Sequence, residues 1–134
     1  ANFEFERKMF LKWLNKEKHY DTISQWRMFT KKERNYIFKH ILCNPVYVNP
    51  WEMSLELFKT FQKYFEFINQ EAHCILIKDN RLVNIVDHKN LKGLQALWDI
   101  VLQANELGVW KEASVLLVKM HLQFYKIEDN KETL

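Results

Sequence analysis

Apolar residues recur along most of this chain at helical spacing. Phe3, Phe10, Trp13 and Leu14 stand at i, i+7, i+10 and i+11, one face of a helix over about Phe3 to Lys16. His19-Tyr20-Asp21 ends it, and Asp21 to Phe29 has room for one short helical turn. Thr30-Lys31-Lys32-Glu33 spells a capping box: the Thr30 hydroxyl accepts from the Glu33 amide, and the Glu33 carboxylate accepts from the Thr30 amide. The helix it opens carries Ile37, Phe38, Ile41 and Leu42 on one stripe. It stops at Asn44-Pro45, because a residue before proline is pushed out of the α region.

A second start follows, with Asn49 to cap, Pro50 at the first helical position and Glu52 at the third. The helix predicted from there to about Asn69 has two apolar stripes. One is Trp51, Leu55, Phe58 and Phe65; the other is Met53, Leu57, Phe61, Tyr64 and Ile68. A helix apolar on both sides is expected to be buried on both sides, in the middle of a stack. Cys74-Ile75-Leu76-Ile77 and Leu82-Val83-Asn84-Ile85-Val86 flank Lys78-Asp79-Asn80-Arg81 and read as a β-hairpin. Two strands are marginal alone, so this hairpin must lean on helices.

The last third reads as a helix pair. Leu91, Leu94, Leu97, Trp98, Val101 and Leu102 form one face, and Gly108 is expected to end that helix as a left-handed cap. Beyond it, one face is Trp110, Ala113, Leu117, Met120 and Phe124, and another is Val115, Val118, Leu122 and Tyr125. The fold expected is mainly all-α: stacked antiparallel helix pairs, an armadillo/HEAT-like solenoid fragment, with a short hairpin near residues 74–86. Residues 1–126 are expected to form a single helical-repeat domain, a fragment of a longer chain, and 127–134 a polar tail. The surplus apolar stripes belong to the ends of such a fragment. Phe3, Phe10 and Trp13 at one end, and Val118, Leu122 and Tyr125 at the other, are the expected interaction residues.

Composition narrows the function classes. At 134 residues, 48% of them hydrophobic, the chain can bury one core. A net charge of +3 is too mild to announce a nucleic-acid or membrane partner. Two glycines argue against a phosphate-cradling loop, and two cysteines against a disulfide-rich scaffold or a four-cysteine zinc site. Glu4, Glu6, Arg7 and Lys8 exclude a signal peptide at the N-terminus, and the apolar runs fall short of the ~20 residues a membrane helix needs. An intracellular, cytoplasmic protein is expected.

Candidate chemistry is sparse. Cys43 and Cys74 are the thiols available as nucleophiles, but each lies in an apolar run and reads as a small buried hydrophobe. His40, Cys43, His73 and Cys74 could be drawn together as zinc ligands, yet adjacent His73 and Cys74 point apart in a strand. Lys16, Lys18, Lys31, Lys32 and Arg34 could form a basic patch; with lysines outnumbering arginines sixteen to four, a solvated face is the plainer reading. No catalytic, cofactor-binding or metal-binding residue is assigned, and the chain is not read as an enzyme in its own right.

One stretch carries a resemblance. Asp87, then Leu91-Lys92-Gly93-Leu94-Gln95-Ala96-Leu97-Trp98, Val101, Asn105, Ala113 and Leu116-Leu117 resemble a segment in the non-catalytic region of the large ubiquitin-specific proteases of the fat-facets type. There an acidic residue precedes Leu-x-Gly-Leu-x-x-Leu-Trp-x-x-Val. Leu57-Phe58, Phe61, Tyr64-Phe65 and Asn69 look like the same family's Cys-Phe-x-x-Phe-Phe-x-x-x-Asn, with Leu57 in place of the Cys. Met9-Phe10-Leu11-Lys12-Trp13 is similar to its Phe-Lys-Trp start. The family's catalytic Cys and His boxes have no counterpart here. The resemblance implies a scaffold and interaction module of a ubiquitin carboxyl-terminal hydrolase, a thiol-dependent deubiquitinase whose peptidase domain lies elsewhere in the parent chain. The partners it implies are neighbouring repeats, ubiquitin or ubiquitinated substrates, and no cofactor. The alternative is a generic helical adaptor that binds another protein and is unrelated to ubiquitin.

Overall fold

The computed structural model describes residues 26–78 and 81–133, with side chains over 27–78 and 85–121. The helix expected over Phe3 to Lys16 lies outside the described residues. Within them the chain is mostly helical. A 3-10 turn, Trp26–Met28, precedes α1, Lys31–Ile37. The capping box forms as the sequence dictates: the Thr30 amide donates to Glu33 Oε1 at 2.8 Å, and the Glu33 amide to Thr30 Oγ1 at 3.2 Å. The helix does not stay α-helical to its end. Phe38–Leu42 widens into a π turn, and Cys43 closes it through its amide to the Phe38 carbonyl. Ile37, Phe38, Ile41 and Leu42 are all buried.

The second start resolves differently from the expectation. Asn49 and Pro50 open only a 3-10 turn, Pro50–Glu52. Met53 is then extended and buried, and Ser54 is the true cap, its Oγ accepting from the Leu57 amide at 3.1 Å. The helix proper, α2, runs Leu55–Glu71. Its buried residues, Leu57, Phe58, Thr60, Phe61, Tyr64, Phe65, Ile68 and Asn69, fill about half of the helical wheel at 100° per residue. The two expected stripes thus merge into one broad face rather than burying opposite sides, and Trp51 stays exposed. Phe38, Phe58 and Phe65 surround Phe61 at ring distances of 5.5, 5.9 and 6.1 Å. Each such side chain contributes roughly 1.5–3 kcal/mol by leaving water.

α2 ends in a Schellman motif. The Cys74 amide donates to the Asn69 carbonyl at 2.8 Å and the His73 amide to the Gln70 carbonyl at 3.0 Å. His73, not glycine, holds the left-handed position, at φ 60°. The chain then forms β1, Ile75–Lys78, and β2, Arg81–Ile85, paired antiparallel with Ile75 opposite Ile85. The register shifts between Leu76 and Ile77. β1 packs on α2, and β2 on the last helix.

A 3-10 turn, His88–Asn90, leads to α3, Leu94–Gln103, and then to α4, Leu107–Thr133. The polar residues 127–133 continue α4 as helix. Gly108 is not the expected left-handed cap: it lies in the first turn of α4, and α3 is ended by an extended Ala104. The glycine that needs its freedom is Gly93, at φ 82°, where a Cβ would fall 2.3 Å from the Phe38 ring.

Candidate functional site

Three of the residues that carry the resemblance, Asn69, Asp87 and Gly93, order the loop that leads into α3. Asn69, fully buried on α2, reaches the loop before α3. Its Nδ2 donates to the Phe65 and Lys92 carbonyls, each at 2.9 Å, and its Oδ1 accepts from the Lys92 amide at 2.7 Å. Asp87 caps the 88–90 turn, its Oδ1 accepting from the Asn90 amide at 3.3 Å and its Oδ2 from Asn90 Nδ2 at 2.7 Å. Gly93 lets the chain pass over Phe38 into α3. These are positioning roles.

Burial pushes the Cys43 thiol up to about 12, which leaves almost no thiolate at neutral pH. Burial also raises Cys74, with the Asp87 carboxylate adding to it, and its Sγ lies 3.3 Å from the Asn90 carbonyl. Cys43 faces an open groove of about 560 Å³ between the π turn and the start of α3, walled by Phe38, Ile68 and Leu94 with Lys39 and Asp99. Among the described residues no three of His, Cys, Asp and Glu are grouped to hold a metal, so His40, Cys43, His73 and Cys74 are not brought together. His40 lies instead against the Tyr36 ring, 4.7 Å between centroids. Of the basic candidates, Lys31 pairs with Glu71 at 3.2 Å. Arg34 sits 4.4 Å over the Phe67 ring and donates to the Arg27 carbonyl at 3.2 Å. Lys16 and Lys18 lie outside the described residues.

What remains is a surface. α4 turns Val109, Ala113, Leu116, Leu117 and Met120 into the core. A second stripe, Leu107, Trp110 and Val118, follows helical spacing and stays outside. Trp110 is 46% exposed and Val118 51%. α3 adds Trp98 at 38% and Leu102 at 73%. The two helices meet where Trp98 lies 6.0 Å from the His121 ring, and Leu102 and Leu107 flank the connecting turn. Two tryptophans with aliphatic neighbours at regular spacing form the composition that protein interfaces favour over ordinary surface.

Of the six expected interaction residues, Val118 lies on this stripe. Leu122 and Tyr125 are on α4, with side chains outside the described ones, and Phe3, Phe10 and Trp13 precede the described residues. Trp98, Leu102 and Trp110 read as core in the sequence because helical spacing does not say which of two apolar faces meets the chain's own core. The available signal was width: α3 carries more apolar arc than one neighbour can cover. Among the described residues, no helix is long and apolar enough to cross a membrane. Compared with protein-family models, curated proteins and solved structures, the chain has no significant match in any of the three.

Proposed function

We propose that this chain is a helical scaffold and protein-interaction module of a ubiquitin-specific protease of the fat-facets type. In this reading α3 and α4 form one unit of an armadillo/HEAT-like stack. The module recruits ubiquitin or a ubiquitinated substrate for a cysteine-peptidase domain outside this sequence, in a cytoplasmic deubiquitinase. The observation that carries the interaction role is the tryptophan-bearing stripe of Trp98, Leu102, Leu107, Trp110 and Val118 left open on α3 and α4. The link to ubiquitin rests on the motif from Asp87 to Leu117 and on Phe58 to Asn69. The buried, protonated thiols suit a module that leaves the chemistry to another domain.

The test is an NMR titration of the isotopically labelled chain with ubiquitin and with a short ubiquitin chain. Saturable shifts on the stripe, lost in Trp110→Asp while the fold is kept, are the expected result. Shifts elsewhere would move the docking face. No shifts at millimolar ubiquitin would remove the ubiquitin reading and leave a generic helical adaptor.

A further inference from the structure

We propose that the contact between His88 and His121 is a pH-sensitive latch, which fastens the His88–Asn90 turn to α4 at neutral pH and releases it on acidification. The two imidazoles come from different elements and lie 5.1 Å apart, centroid to centroid, with planes at 51°. Trp98 of α3 closes the group 6.0 Å from His121. Three elements therefore meet on these rings. His121 Nε2 is shut off from solvent and makes no hydrogen bond, so hydrogen bonding does not account for the ring's place there. What the ring does there is face His88.

Electrostatics favour the same reading. Burial, and then the charge of His121, hold the His88 pKa below the ordinary 6.5. Among the described residues, the other charged groups on these elements are engaged elsewhere or exposed. Asp87 is engaged by Asn90 of its own turn, and Lys89 is exposed. Asp99 of α3 accepts from Gln95 and lines the groove. Lys119 of α4 acts on Glu66 of α2. The sign follows from the lowered value. The unfolded or released chain takes up the proton first as pH falls. The latch is therefore fully closed above about pH 6.5 and weakens from there down to the lower folded value. Histidine is the side chain suited to act in this range.

The latch holds more than one turn. Asn90 receives the Cys74 thiol through its carbonyl, and Leu91 and Lys92 follow directly into the Asn69 clasp. The inference stands whether or not the α3–α4 stripe binds a partner. It is tested on the full 134-residue chain by two NMR measurements. First, the His88 ring titrates below 6.5 in the unaltered chain and moves upward in His121→Asn; an unmoved midpoint would overturn the latch. Second, amide protection at residues 90–92, corrected for intrinsic exchange, falls by about twofold or more between pH 7.5 and 5.5. That fall is absent in His121→Asn and in His88→Phe, which keeps a ring in contact but removes the charge. An equal fall in the variants, or an equal fall at Phe61 and Phe65 in the core, would show general acid unfolding and refute the latch.

Discussion

Replacing Asn69 by alanine removes three hydrogen bonds at one stroke: two donations from Nδ2 and one acceptance by Oδ1. At a net value of about 1 kcal/mol each, the loss is about 3 kcal/mol. A discount applies because both bonds to Lys92 are only part-buried, and water can replace some of what is lost. An addition applies because Asn69 itself has no exposed surface, so the missing amide leaves a void. The expected cost is therefore about 2–3 kcal/mol. With an unfolding entropy of about 2.1 cal/mol/K per residue, the 134-residue chain loses roughly 7–11 °C of melting temperature. Circular dichroism at 222 nm reads this directly. Hydrogen exchange adds the local signature: the Lys92 amide loses protection in the variant before the amides of α2 do. Asn69→Asp keeps the acceptor but aims a carboxylate at two carbonyl oxygens, so it loses stability as pH rises above about 4 and is at least as unstable as the alanine variant at pH 7. A drop below about 2 °C in Asn69→Ala, with Lys92 still protected, would refute the clasp.

Other substitutions probe other joints. Gly93→Ala must take a left-handed backbone and push the Phe38 ring aside, and is expected to cost about 2 kcal/mol or more, read as a melting temperature lower by at least about 7 °C. His73→Gly acts in the opposite direction: relief of the left-handed penalty, about 1–2 kcal/mol, outweighs glycine's extra chain entropy of about 0.5–1. A melting temperature raised by about 2–4 °C is expected, and an unchanged one would count against strain at His73. For Cys43, a pKa of about 12 against the ordinary 9.0 leaves roughly a thousandth of the usual thiolate, so an aromatic disulfide reagent reacts slowly in native buffer and promptly in guanidinium. Prompt native labelling would show the thiol to be active.

Local chemistry was legible in the sequence where it is self-contained. The Thr30–Glu33 capping box needs only residues three apart, and it forms as written. The second helix start departs from its sequence pattern because two caps compete. Asn49 and Ser54 can each begin a helix, and burial of Met53 in the core settles the matter by extending the backbone between them. The glycines show the same limit. Gly108 follows a leucine-rich run and looks like a terminator, yet nothing near it demands a positive φ. Gly93 is compelled by Phe38, a residue distant in sequence. The π turn at Phe38–Leu42 carries no local signal beyond an apolar stripe. The open stripe on α3 and α4 was hidden for a related reason: an apolar face awaiting a partner and one facing the core share a single sequence pattern.

The clasp of Asn69 on Lys92 is also coupled to the hairpin through chain entropy. It closes a loop of 23 residues, and the hairpin lies inside that loop. While the hairpin is open, the whole length must be gathered before the bond can form. Once Ile75 pairs with Ile85 the free length falls by 10 residues, which lowers the entropic cost of closure by about 0.5 kcal/mol and brings the two ends toward each other. The amides of Val86 and Asp87, both bonded to the Cys74 carbonyl, secure the neck of the shortened loop. The hairpin therefore acts as a drawstring: once it is zipped, the junction of α2 with α3 closes more easily.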